Sequence, residues 1–165
     1  MKLMIQILFV SFFISACGIY SFTGASIPNN AKTFSVNYFT ITANNCPSSL
    51  NHLFTEGLKD LLLSQTNLSL SELESDLTFS GDITKYKINP IAIQANEIAE
   101  KNRLTIELKV NYRNNLNEKM NFENKFSRYR DFNSFENLSD VEEILIEEIM
   151  KEILQDIYNE AFVNW

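Results

Sequence analysis

The chain has 165 residues, of which 45% are hydrophobic and 21% charged, and these values are typical of one globular domain. Four Gly and three Pro leave little material for a glycine-rich phosphate loop, and one His with two Cys excludes the usual zinc clusters. The net charge of −7 argues against a nucleic-acid-binding protein, which needs a surface rich in Lys and Arg. We therefore expect no metal, no cofactor and no nucleic-acid partner.

The first sixteen residues are typical of a bacterial export signal. Lys2 supplies a positive start, residues 3–14 form an apolar run, and the small residues Ser15 and Ala16 precede Cys17. The motif Ile14-Ser15-Ala16-Cys17 resembles a lipobox, in which the Cys is acylated and becomes the first mature residue. The prediction is a signal peptide over 1–16 and a lipidated tether over 17–31. The alternative is ordinary secretion, which would leave Cys17 as a plain thiol.

The first half of the mature chain predicts a strand, a helix and a second strand. Alternation at Phe34, Val36 and Tyr38 predicts the first strand, and apolar residues at helical spacing predict a helix over residues 47–65. Residues 68–70 read as a short extended piece. The second strand starts at Leu77, and its apolar parity shifts near residues 84–85, which predicts a β-bulge there.

The second half predicts a hairpin and a long helix. We expect residues 89–90 (Asn-Pro) to interrupt the second strand, and residues 91–102 have no pattern that places them. Strict alternation over 104–112 predicts the third strand, and a turn-rich segment leads to the fourth, which ends in residues 126–132. Ser139 and Glu142 have the spacing of a capping box, and an amphipathic helix follows.

The element order β-α-β-β-β-α predicts an α+β fold. Each helix has one apolar face, and one side of a sheet is the surface that can cover both. The prediction is a two-layer sandwich over residues 32–165, in which a four-stranded, mostly antiparallel sheet carries two helices on one face. The other sheet face is polar enough to meet solvent.

The residues that could perform catalysis have ordinary structural explanations. His52 falls on the polar side of the first helix, and Cys46 has no nearby base, so we expect an exposed imidazole and a small, partly buried thiol. The acidic pairs of the last helix are neighbours on its solvent face, not carboxylates that converge across a cleft. The prediction is a protein that is not an enzyme.

The charge distribution offers a binding hypothesis. From Ser139 onward the chain carries eight acidic residues and one Lys, so the rest of the mature chain is nearly neutral. Within that remainder a basic cluster combines aromatic residues of the fourth strand with five cations: Lys85, Lys87, Lys125, Arg128 and Arg130. Such a cluster can bind phosphate or acidic sugar. The alternative is that these cations pair with neighbouring carboxylates, namely Asp82, Glu123 and Asp131, on a solvated face.

Several segments together resemble one known family. They are Cys17-Gly-Ile-Tyr-Ser-Phe-Thr-Gly-Ala-Ser-Ile-Pro28, Phe54-Thr-Glu-Gly-Leu-Lys-Asp60, Leu62-Leu-Ser-Gln-Thr66, Gly81-Asp-Ile-Thr84, Pro90-Ile-Ala-Ile-Gln94, Arg103-Leu-Thr-Ile106, Phe126-Ser-Arg-Tyr129, Asn137-Leu-Ser139 and Asn164-Trp165. The mature chain resembles the LptE family of lipopolysaccharide-assembly lipoproteins in its Bacteroidetes-type form. That family is similar in being a sandwich of two helices on a four-stranded sheet. Its better-known proteobacterial members differ after the Cys-Gly pair, where this chain has Ile19-Tyr20-Ser21.

The resemblance implies an outer-membrane lipoprotein on the periplasmic side. It implies that the partner is the LptD β-barrel translocon, which delivers lipopolysaccharide to the outer leaflet, and it implies no catalysis. No motif aligns the five cations with the family's lipopolysaccharide-contacting residues. A periplasm-facing lipid or glycan carrier and an envelope hydrolase remain as rivals. The first would need an apolar cavity between sheet and helices, and the second a cleft with paired carboxylates.

Overall fold

The computed structural model describes residue 28, residues 30–91 and residues 100–163. The predicted signal peptide, Cys17 and nearly all of the predicted tether lie outside these residues, as does most of the connection that the sequence left unplaced. The described elements are β1 (Thr33–Val36), β2 (Thr40–Ile41), α1 (Ser49–Gln65), β3 (Ser69–Leu70), β4 (Leu77–Ile91), β5 (Lys101–Asn114), a 3-10 turn (Glu118–Met120), β6 (Phe122–Asn133) and α2 (Leu138–Phe162). The chain is therefore an α+β protein, as predicted.

The sheet is mixed, with six described strands, so the prediction of four mostly antiparallel strands is wrong in this detail. β4, β5 and β6 form an antiparallel meander, and β1 and β2 pair in succession, both parallel, with the same edge of β4. β3 pairs parallel with the outer edge of β1. A parallel pair needs a long crossover between its strands, and α1 lies in the connection from β1 to β4. β2 and β3 have two residues each, too few to show a period in the sequence.

A buried hydroxyl explains the break between β1 and β2. At this break the backbone N–H of Phe39 donates to Oγ1 of Thr55 on α1 (3.1 Å), while Thr55 donates to the carbonyl of Asn51 (2.6 Å). Thr55 is fully buried, so a missing partner at either atom would cost about 1–3 kcal/mol. The helix thus satisfies a backbone group that the irregular edge leaves outside the sheet ladder.

Both helices pack on one face of the sheet, as predicted. α1 buries Leu50, Phe54, Leu58 and Leu62, and α2 buries the line Ile149, Ile153, Ile157 and Ala161. Facing them are the alternate residues of the central strands that are fully buried: Phe79, Ile83, Leu104, Ile106, Leu108, Val110 and Tyr112. At roughly 25 cal/mol per Å² of apolar surface, burial of each large side chain contributes about 1.5–3 kcal/mol before conformational entropy is subtracted.

The bulge in β4 is confirmed, and the strand continues further than expected. The register with β5 shifts between Ile83 and Lys85, so Thr84 lies outside the ladder. Beyond the bulge, pairing runs through Pro90 to Ile91, so the predicted interruption at residues 89–90 is wrong. β2 ends opposite Ile83, and past that point the described residues give β4 a paired neighbour on one side only. A proline is tolerated there because its missing N–H can face the unpaired edge.

The predicted capping box is wrong. α2 begins at Leu138 with Asn137 as its N-cap residue, so Ser139 lies inside the first turn and makes no capping bond. The carboxylate of Glu142 accepts a short hydrogen bond from the hydroxyl of Tyr86. Burial and this carboxylate raise the pKa of Tyr86 above its ordinary value. The Glu that would complete the capping box is thus part of a contact between helix and sheet.

Candidate functional site: the open sheet face and the arginine ladder

The two faces of β6 separate the predicted basic cluster into two groups. Phe126, Arg128, Arg130 and Phe132 alternate along the strand on the side of α2, where Phe132 is buried. Lys125 has the opposite parity and lies on the sheet face that the helices leave uncovered, which we call the open face. The five cations therefore do not form one site.

The two arginines form a ladder of ion pairs with α2. Arg128 makes a two-bonded pair with Asp156, with Nε–Oδ2 at 2.7 Å and Nη2–Oδ1 at 2.8 Å. Arg130 bonds Glu148 through Nε (2.6 Å) and Glu152 through Nη2 (2.5 Å). The three acids are spaced four residues apart, which places them on one line of the helix. We call this set the arginine ladder.

The ladder neutralises part of the acidic helix. The bond to Asp156 raises the pKa of Arg128, and those to Glu152 and Glu148 raise that of Arg130. In return, the hydrogen bond from Arg130 lowers the pKa of Glu152. Three of the acidic residues of the last helix are thus paired with basic residues of the edge strand.

Glu107 is the central carboxylate of the open face. It accepts a hydrogen bond from Thr84 Oγ1 (2.8 Å) and ion-pairs with Lys125 (3.2 Å) and Lys85 (3.5 Å). Burial opposes its charged form, yet the hydrogen bonds and the two lysines hold the pKa of Glu107 below its ordinary value. The bulge makes this group possible, because it turns Thr84 out of the ladder toward Glu107.

Beside the Glu107 group, a second row of cross-strand neighbours on the open face combines a cation with an aromatic ring. The guanidinium of Arg103 lies 3.7 Å from the centre of the Tyr129 ring and makes a two-bonded ion pair with Asp131. Lys87 pairs in register with Thr105, which in turn pairs with Tyr129, so Lys87 belongs to this row. It is exposed and makes no ion pair with any described residue. Lys87 is therefore a cation that a ligand could bind without breaking an existing pair.

The carboxylates expected to pair with the five cations take other partners. Glu123 binds Lys109 (2.7 Å), Asp131 binds Arg103, and Asp82 accepts a short hydrogen bond from Thr40. The sequence reasoning expected a polar face on β5 but did not include Arg103, Glu107 and Lys109 in the candidate site. Their signal was present in the alternation of β5, in which residues 103, 105, 107 and 109 share one face.

A surface groove lies where the two helices begin. It has a volume of about 690 Å³ and is lined by Pro47, Ser49, His52, Leu53, Ser139, Glu142, Glu143, Ile146, Glu147 and Met150. The carboxylates stand at the start of α2, and the apolar lining comes from both helices. The groove is open to solvent and lies beside the helices, not between them and the sheet.

Cys46 and His52 lie where the sequence placed them. Cys46 is partly buried and forms no disulfide, and burial raises the pKa of its thiol, which disfavours the nucleophilic thiolate. His52 is exposed, and its ring stacks on Tyr38 with the ring centres 6.4 Å apart. Within residues 30–91 and 100–163, His, Cys, Asp and Glu form no group of three that could hold a metal ion. In the same part of the chain, no helix combines the length and apolar character that a membrane crossing requires.

Solved structures share this two-layer arrangement. The chain is similar to a protein of Xanthomonas campestris (TM-score 0.52, 7% identity, covering 81% of this chain and 87% of that one). It is also similar to a hypothetical protein of Chlamydia trachomatis (TM-score 0.51, 10% identity, 79% and 98%). A third is an uncharacterized lipoprotein B of Nitrosomonas europaea (TM-score 0.50, 13% identity, 78% and 80%). At these identities the likeness shows the fold alone.

The fold defines an α+β sandwich protein with one sheet face that the helices leave uncovered. A search of curated proteins finds no match to this sequence. The model of one family, described as LptE: Lipopolysaccharide-assembly, matches residues 31–161. The chain therefore belongs to the LptE family of lipopolysaccharide-assembly proteins.

Proposed function

We propose that this protein is an outer-membrane lipoprotein that supports assembly of an LptD-type β-barrel and takes part in lipopolysaccharide transport with it. The observation that carries the proposal is the family match over residues 31–161, which spans the whole sandwich. The lipobox-like motif that ends at Cys17 supports acylation at that residue and placement on the periplasmic side. The barrel and lipopolysaccharide are the partners.

The proposed role is structural and not enzymatic. The layers meet through fully buried apolar side chains such as Leu58, Ile106 and Ile153, and this packing makes a rigid body. A rigid, polar-surfaced body suits the lumen of a large barrel, which is polar and can hold a plug. The raised pKa of Cys46 and the exposure of His52 also fit a protein without an active site.

Among the five cations, we assign the open-face residues Lys85, Lys87 and Lys125 to contact with lipopolysaccharide phosphate or with the barrel wall. Lys87 is unpaired among the described residues, and Lys85 and Lys125 share the single carboxylate of Glu107. The three lysines and Glu107 together therefore carry excess positive charge. Arg128 and Arg130 are already ion-paired with carboxylates of α2. Their contribution to binding is indirect, through the placement of β6.

The carrier hypothesis has one observation in its favour, the groove of about 690 Å³ at the start of the helices. Its rim carries Glu142, Glu143 and Glu147, which would repel phosphate and acidic sugars. The groove also lies outside the interface that a carrier would open for an acyl chain. We therefore keep the barrel partner as the main proposal.

Affinity purification of the tagged full-length chain from detergent-solubilised outer membranes tests the partnership. We expect a large β-barrel to co-purify, and we expect Cys17→Ala to abolish acylation as read by mass spectrometry. Co-purification of lipid without any barrel would contradict the proposal and favour a carrier. Acyl-modified protein from the Cys17→Ala variant would contradict the anchor at Cys17.

A matched pair of charge variants tests the open face. The triple variant Lys85→Gln, Lys87→Gln, Lys125→Gln removes both ion-pair partners of the largely buried Glu107, so it should fold with a somewhat lower melting temperature. It should bind purified lipopolysaccharide or the barrel more weakly. The control Lys32→Gln, Lys119→Gln, Lys151→Gln removes the same charge from exposed positions elsewhere. Wild-type binding should fall with added salt. Equal binding by the two triple variants would remove the open face from the proposal.

A further inference from the structure

One end of the sandwich is built around Asp76, and the chain enters the fold there. The carboxylate of Asp76 accepts hydrogen bonds from the backbone N–H of Lys32 (2.8 Å) and of Thr33 (3.0 Å), and from Oγ1 of Thr33 (3.1 Å). The carbonyl of Asp76 accepts from the N–H of Asn115 (2.9 Å), and the Asn115 side chain bonds the carbonyl of Ser75. The start of β1, the loop before β4 and the turn after β5 are thus held together.

This end exposes a group of apolar side chains. Leu73, in the loop before β4, is 95% exposed, and Leu116, in the turn after β5, is 47% exposed. Leu70 of β3 is 42% exposed and pairs with Phe34 at the start of β1. Single exposed leucines are ordinary in proteins, but Leu73 and Leu116 lie in two loops that the Asp76–Asn115 bond ties together, and Leu70 pairs beside the start of β1. We call the part of the sandwich that carries these three leucines the leucine end.

The described part of the chain begins at the leucine end, next in sequence to the predicted tether. Pro28 is the first described residue, and the carbonyl of Pro28 accepts a hydrogen bond from Ala31, which packs against the core. Cys17 lies eleven residues earlier, so the intervening chain spans at most roughly 36–40 Å when fully extended. The fifteen residues of β4 run away from this end over about 50 Å. With Cys17 held in a bilayer, the tether lets the leucine end approach that bilayer easily. The opposite end lies about 50 Å further away, so it faces the same bilayer less readily.

We propose that the leucine end is a membrane-contact surface at the periplasmic opening of the proposed barrel, where Leu70, Leu73 and Leu116 meet the boundary between headgroups and acyl chains of the bilayer that holds the anchor. This inference rests on the proposed lipid anchor at Cys17. Glu72 and Glu74 flank Leu73 in the sequence and Lys119 follows Leu116 by three residues, so the nearby charge is mixed and gives no strong attraction to anionic lipid. The tether compensates for this weak affinity for the bilayer, because it keeps the leucine end at a high effective concentration near the membrane surface.

The opposite end supplies a matched comparison. Phe135, in the turn before α2, is 84% exposed, and Ile144, in the second turn of α2, is 59% exposed. The two ends therefore expose apolar side chains to a similar degree. What differs is their distance from the anchored segment, so an orientation set by the tether should favour the leucine end.

Quenching by brominated lipid measures which end meets the bilayer. The mature chain from Cys17, carrying Cys46→Ser and Trp165→Phe, is coupled through Cys17 to a maleimide lipid in vesicles of phosphatidylethanolamine and brominated phosphatidylglycerol. Single tryptophans are introduced as Leu73→Trp or Leu116→Trp, with Phe135→Trp and Ile144→Trp as controls. Circular dichroism establishes that each variant is folded, and two positions at each end keep the test valid if one variant does not fold.

We expect loss of fluorescence at positions 73 and 116, and no loss at 135 and 144 beyond that of unbrominated vesicles. Equal loss at both ends, loss confined to 135 and 144, or no loss at any position would overturn the membrane-contact surface. Chemical coupling makes this result independent of acylation in the cell. Mass spectrometry of the native protein therefore reports separately on the anchor of the proposed function.

Discussion

Arg128 of β6 and Asp156 of α2 are joined by two parallel hydrogen bonds, with Nε–Oδ2 at 2.7 Å and Nη2–Oδ1 at 2.8 Å. The pair connects the edge strand of the sheet to the acidic helix. Arg130 adds to this connection by pairing with Glu148 and Glu152 on the same face of α2. We predict that Arg128→Lys weakens this connection despite keeping the charge, because an ammonium cannot form the two-bonded geometry. The denaturation midpoint should fall slightly.

A double-mutant cycle with Asp156→Asn checks this prediction. The double variant Arg128→Lys, Asp156→Asn should lose less free energy of unfolding than the sum of the losses in the two single variants, because each single variant already removes the same interaction. The coupling should shrink as salt is added. Additive losses would mean that the pair contributes no interaction of its own.

Ile153 tests the packing of the two layers. It is fully buried between α2 and the sheet, so Ile153→Ala should reduce the free energy of unfolding by roughly 2–5 kcal/mol. Lys151→Ala, at an exposed position of the same helix, is the control and should change it little. Chemical denaturation of both variants provides the measurement. A midpoint unchanged by Ile153→Ala would contradict the packing described for α2.

The two glycines of the folded core should respond differently to alanine. A Cβ at Gly81 of β4 would collide with the backbone carbonyl of Lys109 on the paired strand and would approach the Phe39 ring to 3.0 Å. Because that carbonyl belongs to the sheet ladder, Gly81→Ala should destabilise the fold by roughly 1–3 kcal/mol. At Gly57 of α1 the nearest atom is the flexible Leu154 Cδ1 at 2.8 Å.

Gly57→Ala therefore serves as the matched control. Alanine gains about 1 kcal/mol of helix propensity over glycine, and the displacement of the Leu154 methyl offsets part of this gain. In thermal melts, the melting temperature of Gly81→Ala should be well below that of Gly57→Ala. The reverse ranking would show that the β4–β5 pairing tolerates a side chain at residue 81.

Asp76 should make stability depend on acid pH. Hydrogen bonds from the N–H groups of Lys32 and Thr33 lower the pKa of its carboxyl below the ordinary value of 3.8. A depressed pKa means that the stabilisation is present above that ordinary value and is lost as pH falls through the folded-state pKa. Asp76→Asn should be less stable than the wild type at neutral pH.

The difference in free energy of unfolding between the wild type and Asp76→Asn should narrow only below pH of about 4, where the Asp76 carboxylate of the unfolded chain begins to take up a proton. Urea titrations at several pH values measure it. Asp140→Asn, an exposed acid in the first turn of α2, is the control. A difference that stays constant into the acid range would contradict a role for the Asp76 charge.

Some features of the fold could be read from local pattern. The alternation at Leu104, Ile106 and Leu108 predicted the central strand, because side chains of a strand with one covered face must alternate with period two. The parity shift after Ile83 predicted the bulge for the same reason. Helical spacing placed both helices, since an apolar stripe at that spacing must meet a core. The family resemblance on quoted segments was likewise available from the sequence and is confirmed by the family match.

The side on which Arg128 and Arg130 lie was also accessible, although the sequence reasoning missed it. Both have the same parity along β6 as Phe126 and Phe132, and aromatic residues flanking a pair of arginines indicate the covered face. The sequence analysis grouped them with Lys125, which lies on the other face, because the three cations are neighbours along the chain. The line Glu148, Glu152 and Asp156 gave the complementary signal on the helix.

By itself, the sequence determined the period of each long element and which of its faces is apolar, because these properties depend on neighbouring residues. Only the tertiary structure decided that β1 and β2 pair parallel with β4, that Asp76 ties the start of β1 to Asn115, and that Arg128 meets Asp156. Two-residue strands carry no period, and an ion pair between residues 28 positions apart leaves no local pattern. Such contacts form when the packing of apolar faces brings distant segments together, and so they depend on the whole chain.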